Sequence, residues 1–178
     1  KDAPFQHLEK RYFEIGDLGF PVFTDRGRRI SMCLCNDRRW PETFRVASLN
    51  GAELMLLGYN TPVHNIHWQE PEHLRMFHHR LSLQAAGYQN SLWVCAAGKA
   101  GEEDGSVLIG GSCIVSPAGE IVAQTTSTGD ELIFAIADFD LGEHFRRNIF
   151  NFAAHRRPEF YGAITDPRPG RVTDADVE

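Results

Sequence analysis

Three short apolar runs, each parted from the next by a stretch with helical patterning, constrain this chain more than any other feature. Arg29-Ile30-Ser31-Met32-Cys33-Leu34 reads as a strand. Glu53-Leu54-Met55-Leu56-Leu57-Gly58-Tyr59 is too short and too apolar for a surface helix, and reads as a buried strand. Residues 91–97 form a third. Between the first two, Pro41-Glu42 opens a helix that ends at Asn50-Gly51, with proline in its first turn and glycine just past its end. Between the second and third, a polar loop over 60–70 leads into a helix over 71–87. Its apolar positions Leu74, Phe77, Leu81, Ala85 and Tyr88 keep to one face, and His78 falls within that stripe. Met76 and Leu83 fall on the opposite side, so the helix asks for a further packing layer or a subunit contact.

Hairpins flank this middle. Residues 20–24 and 29–34 enclose Asp25-Arg26-Gly27, and 112–116 and 120–123 enclose Pro117-Ala118-Gly119. Residues 98–111 read as a glycine- and acid-rich loop, 131–137 as a last strand and 141–148 as a short helix. The alternation implies an α/β layered fold with a mixed sheet, and the apolar strands predict cover on both sheet faces. At 178 residues there is room for one domain; the pattern places it over 1–164, with a loose tail over 165–178. No apolar run approaches the roughly 18–20 residues of a membrane-spanning helix. With 18 Lys and Arg against 24 Asp and Glu, the formal charge of −6 argues against a nucleic-acid partner. The start, Lys1-Asp2-Ala3-Pro4, has neither a methionine nor the apolar core of a signal peptide. The expectation is a cytoplasmic protein that is processed, trimmed or part of a longer chain.

Cysteine usage fits that compartment. A chain of this size and apolar content does not need disulfide staples, and the two-residue step from Cys33 to Cys35 is not a zinc-knuckle spacing. Cys33, Cys95 and Cys113 sit in strand-like apolar runs, where a reduced thiol packs as a small hydrophobe. Cys35 is different. It ends an apolar strand, precedes the charged corner Asn36-Asp37-Arg38-Arg39, and lies near a helix that starts at Pro41. A helix N-terminus and adjacent guanidinium groups both favour a thiolate, and a strand-to-helix corner exposes a nucleophile to a cleft. The competing reading is a buried cysteine before a turn braced by a local ion pair.

This run resembles the nucleophile segment of the nitrilase superfamily of carbon–nitrogen hydrolases, through Cys35, Asp37, Arg39 and Trp40-Pro41-Glu42. The doubled arginine and the strand-loop over 53–60 look most like its N-carbamoyl-D-amino acid amidohydrolase branch. Further segments agree in order and spacing: Phe5-Gln6-His7-Leu8-Glu9-Lys10-Arg11-Tyr12-Phe13, Gly58-Tyr59-Asn60-Thr61-Pro62, Phe77-His78-His79 and Ile149-Phe150-Asn151-Phe152. The likeness runs to about Ile164. It implies an α-β-β-α layered sandwich with mixed sheets, of which this chain would be the C-terminal portion. It also implies a thiol hydrolase with a Cys–Glu–Lys triad and neither cofactor nor metal. Of that triad only Cys35 is present; the resemblance places the general-base glutamate and the lysine upstream of Lys1. Cys35 would attack the carbonyl, with the backbone N–H of Asn36 helping to hold the oxyanion. Glu9 matches an additional glutamate that helps position the lysine and the attacking water, against the alternative of a surface charge beside Lys10 and Arg11. Asn60 and Thr61 match substrate contacts, against an ordinary turn before Pro62. His7 and His78 match pocket histidines.

A fork of arginines suits a carboxylate, so Arg38 and Arg39 are candidates for a carboxylate-bearing substrate; the alternative is that one pairs with Asp37 or Glu42 to brace the corner. The reaction implied is hydrolysis of N-carbamoyl-D-amino acids to the D-amino acid, ammonia and CO2. A β-ureido acid or an aliphatic amide would use the same chemistry, and an inactive fragment that only binds or assembles is a further reading. A zinc site on His64, His67, His73, His78 and His79 is the rival from another class, weakened by the absence of an H-E-x-x-H pattern. Met76, Leu83 and the Phe150–Phe152 segment suggest a homo-oligomer, a dimer or tetramer.

Overall fold

A computed structural model describes residues 12–64 and 71–167. β1 (Val22–Asp25) and β2 (Arg28–Leu34) pair antiparallel through a two-residue turn. Both turn residues have positive φ, 47° at Arg26 and 77° at Gly27, which matches the twist of the strands they join. A 3-10 turn (Cys35–Arg39) leads into α1 (Pro41–Leu49), whose N1 proline surrenders an N–H that would have had no partner there. β3 (Leu54–Tyr59), α2 (Glu72–Asn90) and β4 (Trp93–Gly98) follow. Then come two hairpins, β5 (Ala100–Glu103) with β6 (Ser106–Ile109), and β7 (Cys113–Val115) with β8 (Ile121–Gln124). The helices α3 (Phe139–Asn148), α4 (Phe152–His155) and α5 (Gly162–Thr165) close the described chain.

Six strands form one mixed sheet in the order β1-β2-β3-β4-β7-β8. β2, β3 and β4 are parallel and the remaining pairs antiparallel. Two successive parallel connections of the usual right hand put α1 and α2 on the same face, and the core lies there. Phe44 and Ala47 of α1 and Leu83 and Ala86 of α2 pack on Met55, Leu57, Val94, Ala96, Cys113 and Val115, all buried. Gly87 lets α2 approach β7 closely: a Cβ there would lie 2.9 Å from the Ser116 carbonyl oxygen.

Four expectations are corrected. Cover on both sheet faces is not what the described residues provide. The face opposite the helices presents Met32 at 59% and Leu34 at 68% exposure, so the described residues form a layer of helices on one face of one sheet. On α2 the inward side is Arg75, His79, Leu83, Ala86 and Asn90, while Phe77, Leu81 and Tyr88 turn out. Both sides of that helix carry apolar residues, so periodicity alone does not say which is inside; polar partners within the fold decide it. Residues 98–111 hold the β5–β6 hairpin rather than a plain loop. Its turn is Asp104-Gly105, with φ of 48° and 76°, an Asp-Gly hairpin signal masked by the acidic composition around it. Finally, residues 131–137 are not a strand. Leu132, Phe134 and Ile136 keep a period of two and are more than 80% exposed, and no neighbouring strand among the described residues pairs with them. Among the described residues no helix is long and apolar enough to cross a membrane. The expected loose tail lies outside the described residues from position 168 onward.

Candidate active site

β2 delivers Cys35 to a corner that is strained and then locked. Its φ of 43° lies in the left-handed region, which a residue with a Cβ seldom occupies without a reason. Three hydrogen bonds hold it there. The Leu34 N–H donates to Asp37 Oδ2 at 2.9 Å, the Trp40 N–H donates to the Asp37 carbonyl at 3.2 Å, and Arg38 Nη1 donates to the Cys35 carbonyl at 2.5 Å. Cys35 is half-buried, with its Sγ 3.9 Å from Asn60 Oδ1 at the end of β3. The N–H groups opening the 3-10 turn, that of Asn36 among them, have no partner inside the turn. Such donors beside a thiol are what an oxyanion hole requires.

Arg38 is 4% exposed, and its head is fixed on several sides. Besides the Cys35 carbonyl, Nη2 donates to Thr61 Oγ1 at 2.7 Å, and the guanidinium lies over the Tyr59 ring at 4.9 Å from its centroid. Burial lowers its pKa from the ordinary arginine value, and the neighbouring Cys35 opposes that shift. Arg38 therefore braces the corner, but through the Cys35 carbonyl and Thr61 rather than through Asp37 or Glu42. Asp37 instead caps Leu34. Thr61, expected as a substrate contact, is buried with its hydroxyl turned to Arg38.

Two residues of this cluster were not anticipated. Tyr59 is buried; its hydroxyl donates to the Gly110 carbonyl at 2.7 Å and lies 3.0 Å from His79 Nε2. Burial pushes the Tyr59 pKa above the usual tyrosine range. His79 is 2% exposed, and Nε2 also lies 3.3 Å from the Gly111 carbonyl. Burial, seconded by the Arg38 charge, holds its pKa down to about 4. The sequence signals were present: Tyr59 alternates with Met55 and Leu57 toward the core, and His79 lies four residues before the buried Leu83. The sign of the pH effect follows. The unfolded chain binds the His79 proton near pH 6.5 and the folded one near 4, so stability falls as pH drops through that window. Between pH 7 and pH 5 the loss from this residue is about 2 kcal/mol. Urea midpoints at the two pH values should differ less in His79→Gln than in the parent chain; an equal acid loss in both would remove His79 as its source.

Arg38, Arg39, His78, His79, Leu81 and Ser82 line one cavity of about 210 Å3. It brings both arginines and His78 together, and Arg38 connects it to the Cys35 corner. Arg39 and His78 are half-buried, while Asn36 and Asn60 are exposed. A larger cavity of about 540 Å3, between α1 and the segment 149–165, holds none of the expected site residues. Glu9 and His7 lie outside the described residues. The other thiols are separated from this chemistry by burial, which pushes Cys33 up to about 12 and Cys113 up to about 11, and also raises Cys95. All four cysteines are free thiols. Among the described residues, no three His, Cys, Asp or Glu side chains are grouped to hold a metal ion; His64 pairs with Glu72 at 2.5 Å.

Similarity to known proteins agrees with this geometry. The chain is 31% identical over 170 residues to an N-carbamoylputrescine amidase from Solanum lycopersicum, covering 89% of this chain and 54% of that enzyme. It superposes on a carbon-nitrogen hydrolase from Helicobacter pylori G27 with a TM-score of 0.81 at 25% identity, covering 95% of this chain and 59% of the other. It also resembles a variant amidase from Nesterenkonia sp. AN1, whose active-site cysteine carries the acetamide moiety of fluoroacetamide as a covalent adduct. That match has a TM-score of 0.56 at 29% identity, over 68% of this chain and 42% of the amidase. The chain spans about half the length of the curated relatives it matches. Residues 1–147 match the carbon-nitrogen hydrolase family model, and on that extent of agreement the chain belongs to the carbon–nitrogen hydrolase family.

Proposed function

We propose that this chain carries the nucleophile and the substrate-carboxylate site of an amidohydrolase acting on N-carbamoyl amino acids, with the D-series as preferred substrates. The observation that carries the reading is the left-handed corner at Cys35, joined through Arg38 to a cavity lined by a second guanidinium and His78. Cys35 Sγ attacks the ureido carbonyl carbon. The oxyanion is held by the Asn36 N–H and by the family's lysine, which the resemblance places upstream of Lys1 together with the general-base glutamate. Collapse releases the amine, protonated by that glutamate, and leaves a carbamoyl thioester that water cleaves to carbamate, hence ammonia and CO2. Glu9 would steer the lysine and the water, His7 and His78 would line the pocket, and Asn60 would meet the polar end of the substrate. Arg39 takes the carboxylate, while Arg38 and Thr61 hold the corner beside it.

An amidase named for N-carbamoylputrescine among the relatives supports a ureido substrate. Two guanidinium groups around the cavity favour an anionic tail over a cationic one. The test is ammonia release by the gene product extended upstream of Lys1. N-carbamoyl-D-amino acids should exceed their L-isomers, β-ureido acids and aliphatic amides by about tenfold or more in kcat/KM. A preference for simple amides would overturn the carboxylate reading.

A further inference from the structure

We infer that Tyr59 and His79 are positioning residues for the nucleophile, acting through Arg38 on the backbone carbonyl of Cys35. This deepens the reading of Cys35 as nucleophile and rests on it. A left-handed cysteine at a strand end keeps its conformation only if the peptide that follows is held, because relaxation would swing both the thiol and the Asn36 N–H. The side chain that holds it is Arg38, through the Cys35 carbonyl. An arginine has a long, flexible stem, so its grip is as firm as the fixing of its head.

That fixing comes from two other parts of the fold. Thr61 accepts from one terminal nitrogen, and the Tyr59 ring lies beneath the guanidinium. The ring is itself clamped at its far end. Its hydroxyl donates to the Gly110 carbonyl, and His79 reaches it from α2, with the ring centroids 4.6 Å apart. With the tyrosine proton committed to Gly110, the hydrogen bond from His79 requires the tautomer with its proton on Nε2. His79 Nδ1 is buried without a hydrogen-bond partner, as that tautomer leaves it. The tyrosine ring also occupies the space opened by Gly98, where a Cβ would lie 2.4 Å from Tyr59 Cζ. The contacts thus run without a break from α2 and the Gly110-Gly111 link, through Tyr59 and Arg38, to the reacting residue. This arrangement does more than fill a core: a leucine and a phenylalanine at 79 and 59 would pack as well, without the polar clamp.

The test reads Cys35 directly. Iodoacetamide alkylation is followed peptide by peptide at neutral pH in the gene product extended upstream of Lys1 and in its Tyr59→Phe, His79→Leu and His79→Gln variants. Cys33 and Cys113, buried in the same sheet, report any general loosening. Tyr59→Phe and His79→Leu should slow alkylation of Cys35 about tenfold, with Cys33 and Cys113 as protected as in the parent. His79→Gln, which restores an N–H donor, should recover most of the rate. The inference is overturned if Cys35 reacts equally fast in all four proteins, if Cys33 and Cys113 become reactive together with any change at Cys35, or if glutamine rescues no better than leucine. None of these outcomes depends on turnover, so the nucleophile reading stands or falls separately, on ammonia release by Cys35→Ala.

Discussion

Cys35→Ala, made in the gene product extended upstream of Lys1, should lower ammonia release from N-carbamoyl amino acids by about 10^4-fold or more. A ureido carbonyl is a poor electrophile, and the covalent route replaces one difficult hydrolysis by two easier transfers. Nothing nearby can substitute for this sulfur. Cys33 is two residues away, but it is packed into the core at 6% exposure, and burial pushes its pKa up to about 12. Cys113 is sealed in β7 in the same way. Binding should survive, because the proposed carboxylate site at Arg39, the Asn36 N–H and the Arg38 clamp do not involve the sulfur; only the weak 3.9 Å contact to Asn60 is lost. The check pairs turnover with the thermal shift produced by an N-carbamoyl amino acid. A variant that still turns over within tenfold of the parent would exclude Cys35 as nucleophile.

The same corner shows how much of this molecule its sequence discloses. β1, β2, α1 and β3 were legible because each announces its ends locally, by Gly27, Pro41 and Asn50-Gly51, and because a buried parallel strand such as β3 is apolar throughout. The corner at Cys35 was only half legible. The strand end and the helix-opening proline mark it, but the same residues also allow a buried cysteine before a braced turn, and the nucleophile reading came from the resemblance. The facing of α2 was not legible. Leu74, Phe77 and Leu81 form as good a stripe as the buried side, and the choice is made by His79 meeting Tyr59 and Arg75 meeting the Pro62 carbonyl. Those partners lie 20 and 13 residues away, which no local window contains. Residues 131–137 failed for the converse reason. Their alternation is genuine, but a strand is defined by a partner, and none of the described residues supplies one. The roles of Arg38 and Thr61 shifted likewise, since a guanidinium that looks available in a charged corner turns out to be roofed by a tyrosine ring and tied to a backbone carbonyl.

Because Arg38 is committed to that bracing, the carboxylate of the substrate should depend chiefly on Arg39. Arg39→Ala is expected to lower kcat/KM for N-carbamoyl amino acids about 100-fold, about 2.7 kcal/mol, within the range for truncating one partner of a desolvated charge pair. The loss should appear mostly in KM, because the carboxylate is bound similarly in ground and transition states. Arg39→Lys keeps the charge but not the planar fork, and should fall between the two. Formamide or another uncharged amide serves as the internal control, since it has no group for Arg39 to hold; its kcat/KM should change by less than about threefold. Equal losses on both substrate classes would mean that Arg39 supports the corner as Arg38 does, and that neither guanidinium reads the substrate. A gain for an ammonium-bearing ureido substrate in Arg39→Ala would point the same way as the expected loss. Removing a cation from the cavity beside Arg38 and His78 lifts a repulsion that only a cationic tail feels.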